Sequence, residues 1–316
     1  MRHVRLVLPP DLTEPVLRML TAAPEVTNVW HLAGAARKPV GDLVSCDVAA
    51  EHTSTLVSRL KDLGLEGRGT IALEEIDAAI SREADRADES AVGTSADAVV
   101  WEEVEERVEA GATLSVSFLL LMVVATLIAA IGIVLDSVVL VIGAMVVGPE
   151  FGPLAGISVA LAAGQRRLAL RSLAALAVGL AVGIAAAAVG VALLQATGLV
   201  PGGAEPVDRF FTEFVSRPNA YSAIVALLAG AAGMVAITGA KSGTLVGVLI
   251  SVTTIPAAAD IGVSIVFSNR QELVGAATQL AINLVCLQAA AIAVLVVERV
   301  ALAGRARGPK RPRRPF

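Results

Sequence analysis

Long runs without a charged side chain constrain this chain more than any other feature. Beyond Thr113, six apolar stretches are each long enough to cross the roughly 30 Å hydrocarbon core of a bilayer as a helix. The mean hydropathy of +0.74 agrees, because soluble globular chains are far more polar. The sequence therefore predicts an α-helical polytopic membrane protein, with spans at residues 113–135, 138–164, 168–196, 219–239, 243–267 and 273–297.

The first part of the chain is different, because it holds most of the charges and only short apolar segments. Over residues 1–80 the pattern runs strand, helix, strand, strand, helix, strand, which is typical of a ferredoxin-like α+β domain. The stretch has neither a Gly-rich phosphate loop nor a CxxC motif, so assembly or bracing is favoured over ligand binding. The predicted domains are the ferredoxin-like domain at 1–80, a linker and acidic helix at 81–112, the transmembrane domain at 113–298 and a basic tail at 299–316.

The acidic helix before the first span has two interpretations. Its apolar stripe of valines and Trp101 opposes five glutamates. It either packs on a partner or on the soluble domain beside the membrane, or it forms an acidic vestibule that concentrates cations near a pore. We favour packing.

The positive charges outside the spans predict the orientation. If the N-terminus is cytoplasmic, the loops and tail that follow the first span place eleven Lys and Arg residues on the cytoplasmic side and three on the other side. The N-terminus lacks the apolar core and cleavage site of a signal peptide. We therefore expect both termini in the cytoplasm. The stretch 305–314 is expected to attract anionic lipid headgroups and not nucleic acid.

The second predicted span contains the segment GAMVVGPEFGPLAG, in which two Gly-Pro pairs flank a carboxylate. Each proline removes a backbone donor and clashes with the preceding turn, so a regular helix is interrupted here. Glu150 lies about halfway along the span, where a charge costs at least ~2.5 kcal/mol unless it is solvated, paired or protonated. We interpret the segment as a functional break and not as a packing kink. Its candidate site residues are Gly148, Pro149, Glu150, Gly152 and Pro153.

The fifth predicted span has its own interruption, at SVTTIPAAAD. Its proline frees a backbone carbonyl one turn earlier, close to two hydroxyl side chains, and an aspartate follows one turn later. That aspartate and Glu150 are the carboxylates well inside the predicted spans, whereas Asp136 is interpreted as a helix-end residue. The candidate site residues of this span are Thr253, Thr254, Pro256 and Asp260.

The two interrupted spans are each the second of a triplet, and the two triplets have opposite topology. This arrangement predicts a 3+3 inverted repeat whose broken helices meet at the midplane of the membrane. In the last span, Gln279, Asn283 and Gln288 are expected to bond across helices or to line a cavity. Small residues in the third and fourth spans favour close helix packing and suggest a homo-oligomer.

Several segments together resemble one known family. They are the stretch ATLIAAIGIVLDSVVLVIGAMVVGPEFGPLAG, the preceding SADAVVWEEVEERVE, and the later TTIPAAADIGVSIVF and QLAINLVCLQ. Over about residues 95–297 the chain is similar to the DUF389 family of hydrophobic membrane proteins. The resemblance implies a protein of a bacterial plasma membrane. The family has no defined function, so it implies no substrate and no site residues.

The residues favour transport over catalysis. We expect a transporter or channel for an ion or small solute, with its site at the two breaks; a non-transporting scaffold or sensor is the alternative. An enzyme is not expected, because the spans hold one interior aspartate and no histidine. The histidines and cysteines are scattered, so neither a metal site nor a cofactor is predicted.

Overall fold

The computed structural model describes residues 1–76, 81–83, 100–200, 209–239, 247–248 and 253–307, with side chains to residue 300. Most of the predicted linker, the end of the basic tail and the first part of the fifth predicted span lie outside the described residues. The chain divides into two compact units, Met1–Val104 and Glu105–Phe316.

The first unit is a four-stranded antiparallel sheet with two helices. Its elements follow the predicted order, and the strand order across the sheet is β2-β3-β1-β4. One face of the sheet is apolar because alternate residues of β1 and β3 are Val, Leu or Cys, and the helices pack their apolar stripes on that face. The bounds are β1 Arg2–Leu8, α1 Pro10–Ala22, β2 Val26–Arg37, β3 Val40–Val48, α2 Ala50–Asp62 and β4 Thr70–Glu75.

The second unit is helical. Helix α3 spans the division between the units, and in the described ranges the longer or more apolar helices α4 to α10 follow it. The bounds are α3 Trp101–Gly111, α4 Val116–Val134, α5 Val138–Val147, α6 Phe151–Ala163, α7 Arg166–Ala196, α8 Ala220–Thr238, α9 Thr254–Val266 and α10 Arg270–Arg307.

Among the described residues, four helices are long and apolar enough to cross a membrane, namely α4, α7, α8 and α10. The pair α5 and α6 adds a fifth candidate, bent by 51° at its break. Helix α9 is apolar but has 13 residues, and the residues that precede it at 249–252 are not described. The prediction of a helical membrane protein with a small α+β part is therefore confirmed at this coarser level.

The helices of the second unit pack in two similar groups. Helix α7 contacts α4, α6 and α9, while helix α10 contacts α8, α9 and α6. Glycines permit the closest approaches: a Cβ on Gly230 would collide with the backbone of Leu287, and a Cβ on Gly262 would collide with the carbonyl of Ile184. Helices α6 and α9 thus lie in the interior, between the two long helices.

Candidate functional site

The break between α5 and α6 occupies Gly148, Pro149 and Glu150. The N–H of Gly148 still donates to Ala144 O at 3.2 Å, but Pro149 has no N–H with which to continue the helix. A new helix starts at Phe151, and its first turn includes Pro153, a position where a missing N–H removes no helical hydrogen bond. The predicted interruption of this span is present in the structure.

Helix α9 begins in the same way as helix α6. Each helix has 13 residues, and each has a proline at its third position, Pro153 in α6 and Pro256 in α9. The residue immediately before each helix is polar, Glu150 in one case and Thr253 in the other. Helices α6 and α9 thus start with the same pattern, a polar residue before the helix and a proline at its third position.

The Glu150 carboxylate connects the break between α5 and α6 to the start of α9. Its Oε1 accepts a hydrogen bond of 2.7 Å from the Thr254 hydroxyl, which belongs to the first residue of α9. Glu150 is 2% exposed and Thr254 is fully buried. Within the described part of the chain, Oε2 of Glu150 has no hydrogen-bond partner. This oxygen and the Ile255 side chain fill the space that a Cβ on Gly148 would need, so the carboxylate lies against the break.

Two amides from α10 extend this polar group. The Thr253 hydroxyl oxygen accepts from Gln279 Nε2 at 3.1 Å and from Asn283 Nδ2 at 2.8 Å. Gln279 Nε2 also donates to Asn283 Oδ1 at 3.1 Å. Both amides are buried, so the prediction that they bond across helices agrees with these contacts. Glu150, Thr253, Thr254, Gln279 and Asn283 are hereafter called the break site.

Asp260 does not join the break site. It lies further along α9, fully buried, with its Oδ1 2.5 Å from Arg209 Nη1. Arg209 Nη1 also lies 3.0 Å from Glu272 Oε2, and the Ser264 hydroxyl donates to Asp260 Oδ1 at 3.5 Å. The structure therefore places the two predicted interior carboxylates in different surroundings, one among neutral groups and one in an ion-pair cluster.

Arg209 and Glu272 are not among the site residues that the sequence predicts. Arg209 falls in a connection predicted to face the side opposite the cytoplasm, and Glu272 falls in the first turn of α10. The available signal was that Arg209 is one of three positive residues on that side. Nothing in the spacing indicated that its side chain would be 6% exposed and would reach Asp260.

Asp136 anchors the connection that carries Arg209. It has a positive φ of 48° in the turn between α4 and α5, and its carboxylate accepts from the N–H groups of Phe210, Phe211 and Thr212 and from the Thr212 hydroxyl. Burial acts to raise the pKa of Asp136, but the hydrogen bonds from Phe211, Thr212 and Phe210 outweigh it and hold that pKa below its ordinary value. Asp136 is thus a helix-end residue that also fixes a distant segment.

The other predicted site residues have structural positions in the same region. Gly152 approaches Gly111 closely, since a Cβ there would collide with the backbone of that residue. Deeper along α6, the Ser158 hydroxyl donates to Gln288 Oε1 at 2.5 Å, and Gln288 Nε2 donates to Leu154 O at 2.8 Å. Over the described ranges, no three His, Cys, Asp or Glu side chains are grouped to hold a metal ion.

The first unit holds a separate polar cluster on its second sheet face. Ser45 Oγ lies 2.7 Å from His3 Nε2, and His3 Nδ1 lies 2.6 Å from Asp47 Oδ1. The order of these groups resembles a hydrolase triad, but Ser45 is fully buried and its hydroxyl is also within 3.3 Å of Val4 O. A nucleophile must reach its substrate, so the contacts describe cross-strand pairing.

Comparison with known proteins confirms the family resemblance. The model of DUF389, described as a domain of unknown function, matches residues 145–289. This range contains the break site and the ion-pair cluster of Arg209, Asp260 and Glu272, hereafter called the Arg209 cluster. The chain is similar to the uncharacterized protein MJ0678 of Methanocaldococcus jannaschii, with 28% identity over 185 residues. That alignment covers 58% of this chain and 54% of the relative, so the chain spans about half of the curated relative's length. No solved structure matches the chain.

Proposed function

Because residues 145–289 match DUF389, a domain whose description names no activity, we propose a function from the break site itself. The protein is a membrane transporter or channel for an ion or small solute. The break site is the place where that species passes or binds. The first unit assembles subunits or regulates the path.

The observation that carries this proposal is the hydrogen bond between Glu150 and Thr254. It connects the broken pair α5 and α6 to the start of α9 through a carboxylate that is 2% exposed. A charged side chain at the centre of a bilayer costs about 2.5–3.5 kcal/mol by insertion scales, and such residues mark ion pathways and proton relays. A carboxylate with one oxygen unpaired among the described residues, beside the break of α5 and α6 and the start of α9, supports a transport site more than a packing contact.

The architecture that we propose has six spans arranged as three plus three with inverted topology. The similar starts of α6 and α9 support it, as does the packing of α7 and α10 on equivalent neighbours. The order of strands and helices in the first unit supports a ferredoxin-like domain. With both termini in the cytoplasm, Arg209 and Asp136 lie on the opposite side of the membrane. We further propose that the protein acts in a plasma membrane as a homo-oligomer whose basic tail contacts anionic lipid headgroups.

A non-transporting scaffold or sensor is the alternative function. Trp30 and Leu32 on β2 are about half exposed, at 46% and 49%, and such apolar side chains favour a docking role for the first unit. Under this alternative the helical unit only anchors the protein. Flux measurements distinguish the two functions.

The test reconstitutes the full chain in proteoliposomes and measures flux of protons, alkali cations and small anions against protein-free vesicles. We expect flux of at least one species, and at least a tenfold loss in Glu150→Gln, because the neutral amide fills the same space without the carboxylate's charge. Glu298→Gln is the matched control, since Glu298 accepts from Thr238 at 3.0 Å near the other end of the helices and should retain the flux. Wild-type vesicles that conduct no tested species better than empty ones would reject transport of these ions.

A further inference from the structure

We propose that the space held by the Glu150 carboxylate is a binding site for a small inorganic anion of the size of chloride or nitrate. Glu150 is the tethered occupant of this site, and an external anion binds when that carboxylate is absent or has moved away. The inference rests on the proposed function and names the substrate class of the same site. It follows from three features of the break site.

The first feature is the direction of the helices. Glu150 is the residue before α6, and Thr254, which donates to its carboxylate, is the first residue of α9. The N-terminal ends of two 13-residue helices therefore meet at one carboxylate. A helix N-terminus carries about half a positive charge and presents N–H groups without intrahelical partners, so two of them form an anion site.

The second feature is the unpaired oxygen. Oε2 of Glu150 has no hydrogen-bond partner among the described residues, although the residue is only 2% exposed. Asp260 Oδ2 also lacks a partner among the described residues, but Asp260 has a guanidinium at 2.5 Å, whereas the described donor to Glu150 is one neutral hydroxyl. Among the described residues, the carboxylate is thus held at the two helix starts by one hydroxyl hydrogen bond and by no cation, so a free anion could take its place.

The third feature is the chemistry of the neighbours. The described hydrogen-bond partners in the break site are hydroxyl and amide groups, and two amide N–H groups point at Thr253 beside the start of α9. A cation in this space would face the positive ends of two helix dipoles, whereas an anion would be stabilised by them. The missing side chain of Gly148 provides the space for the carboxylate, since a Cβ at that position would collide with Glu150 Oε2.

The Arg209 cluster is a weaker candidate for the anion site. Arg209 already lies within 3.0 Å of both Asp260 and Glu272, so the cluster carries two carboxylates for one guanidinium. A further anion there would meet a net negative charge. The break site has one ionisable side chain, and truncation of that side chain leaves the two helix ends without an anion.

The experiment removes the tethered carboxylate and supplies free anions. Glu150→Ala and Glu150→Ser are purified as full chains in detergent, and thermal unfolding is followed in sodium chloride, sodium nitrate and sodium gluconate at equal ionic strength. We expect chloride or nitrate at concentrations well above its dissociation constant to raise the Tm by roughly 2–4 °C relative to gluconate. Radioactive chloride in equilibrium dialysis should bind to the same variants.

Three controls separate this effect from a general salt effect. Glu150→Gln keeps the space filled, so its Tm should not depend on the anion. Glu298→Ala removes a carboxylate that is not placed at two helix N-termini, so it should bind no chloride. Adding Thr254→Val to Glu150→Ala should weaken chloride binding several-fold, because the donor hydroxyl is lost.

Two outcomes overturn the inference. One is a folded Glu150→Ala or Glu150→Ser that binds no chloride or nitrate; the other is a Tm that follows sodium, potassium or choline instead of the anion. Both outcomes are independent of flux. If the wild type transports cations while the variants bind no anion, the proposed function is kept and this inference is rejected. If the variants bind anions but the wild type shows no flux, the anion site is kept and the proposed transport function is rejected.

Discussion

Glu150 and Asp260 are two buried carboxylates in interrupted apolar segments, yet the structure gives them opposite surroundings. Each has one oxygen without a hydrogen-bond partner among the described residues, but the donor to the other oxygen of Glu150 is the neutral Thr254 hydroxyl. Asp260 lies 2.5 Å from a guanidinium that is itself 6% exposed. Depth within a predicted span therefore does not by itself define a site. The partner decides whether a buried carboxylate is held permanently or can be replaced.

The same comparison separates a fixed end of the helical unit from a less constrained middle. At the fixed end, Asp136 binds the segment that carries Arg209, and Arg209 then binds α9 and α10. At the break site the links are single hydrogen bonds between neutral groups and one carboxylate. We expect substitutions at the fixed end to alter stability and substitutions at the break site to alter function.

The largest expected effect is at Arg209. Arg209→Ala leaves Asp260 buried without its cation, and breaking a buried pair by removing one partner costs about 3–5 kcal/mol of unfolding free energy. Thermal unfolding in detergent measures the loss, and adding Asp260→Asn should restore part of it. Arg217→Ala is the matched control, because its pair with Glu213 is 69% exposed on the arginine side and should contribute about 0–1 kcal/mol. Equal effects of the two arginines would remove the distinction between the regions.

A smaller effect is expected at Gly148. Gly148→Ala places a Cβ where Glu150 Oε2 and Ile255 lie, and overpacking of this kind costs about 1–3 kcal/mol. Gly143→Ala in α5 serves as the control, because no heavy atom lies within 4 Å of a Cβ at that position. Unfolding temperatures of the two variants give the comparison. An unchanged Gly148→Ala would mean that the Glu150 carboxylate lies elsewhere.

The smallest effect is expected at Asp136, and it depends on pH. Asp136→Asn weakens the hydrogen bonds to the segment at Phe210–Thr212 and should cost about 1 kcal/mol at neutral pH. Since hydrogen bonds hold the folded pKa of Asp136 below its unfolded value of about 3.9, the wild type's advantage is fully present above the unfolded pKa and is lost as the pH falls through the folded pKa. Unfolding measured from neutral pH downwards checks this. A difference that persists unchanged at low pH would show that charge is not the cause.

Much of the fold follows from local patterns, and for that reason it could be predicted. Strand and helix periods in residues 1–76 depend on which neighbours are apolar, and the interruptions at Pro149 and Pro256 depend on a missing N–H. The order of elements in the first unit and the break after Val147 agree with those predictions. Of the candidate site residues, Glu150 and Thr254 are hydrogen-bonded to each other, whereas Asp260 contacts Arg209 instead.

The sequence by itself determined the apolar helices, the break at Pro149 and the family resemblance, because each depends on contiguous residues: apolar runs, Gly-Pro steps and a matching segment at 145–289. Only the tertiary structure decided which groups meet. The bond between Glu150 and Thr254 joins residues 104 positions apart, and the pair of Arg209 and Asp260 joins residues 51 positions apart. Side-chain partners at such separations depend on helix packing and on the path of a connection, and no local period encodes either.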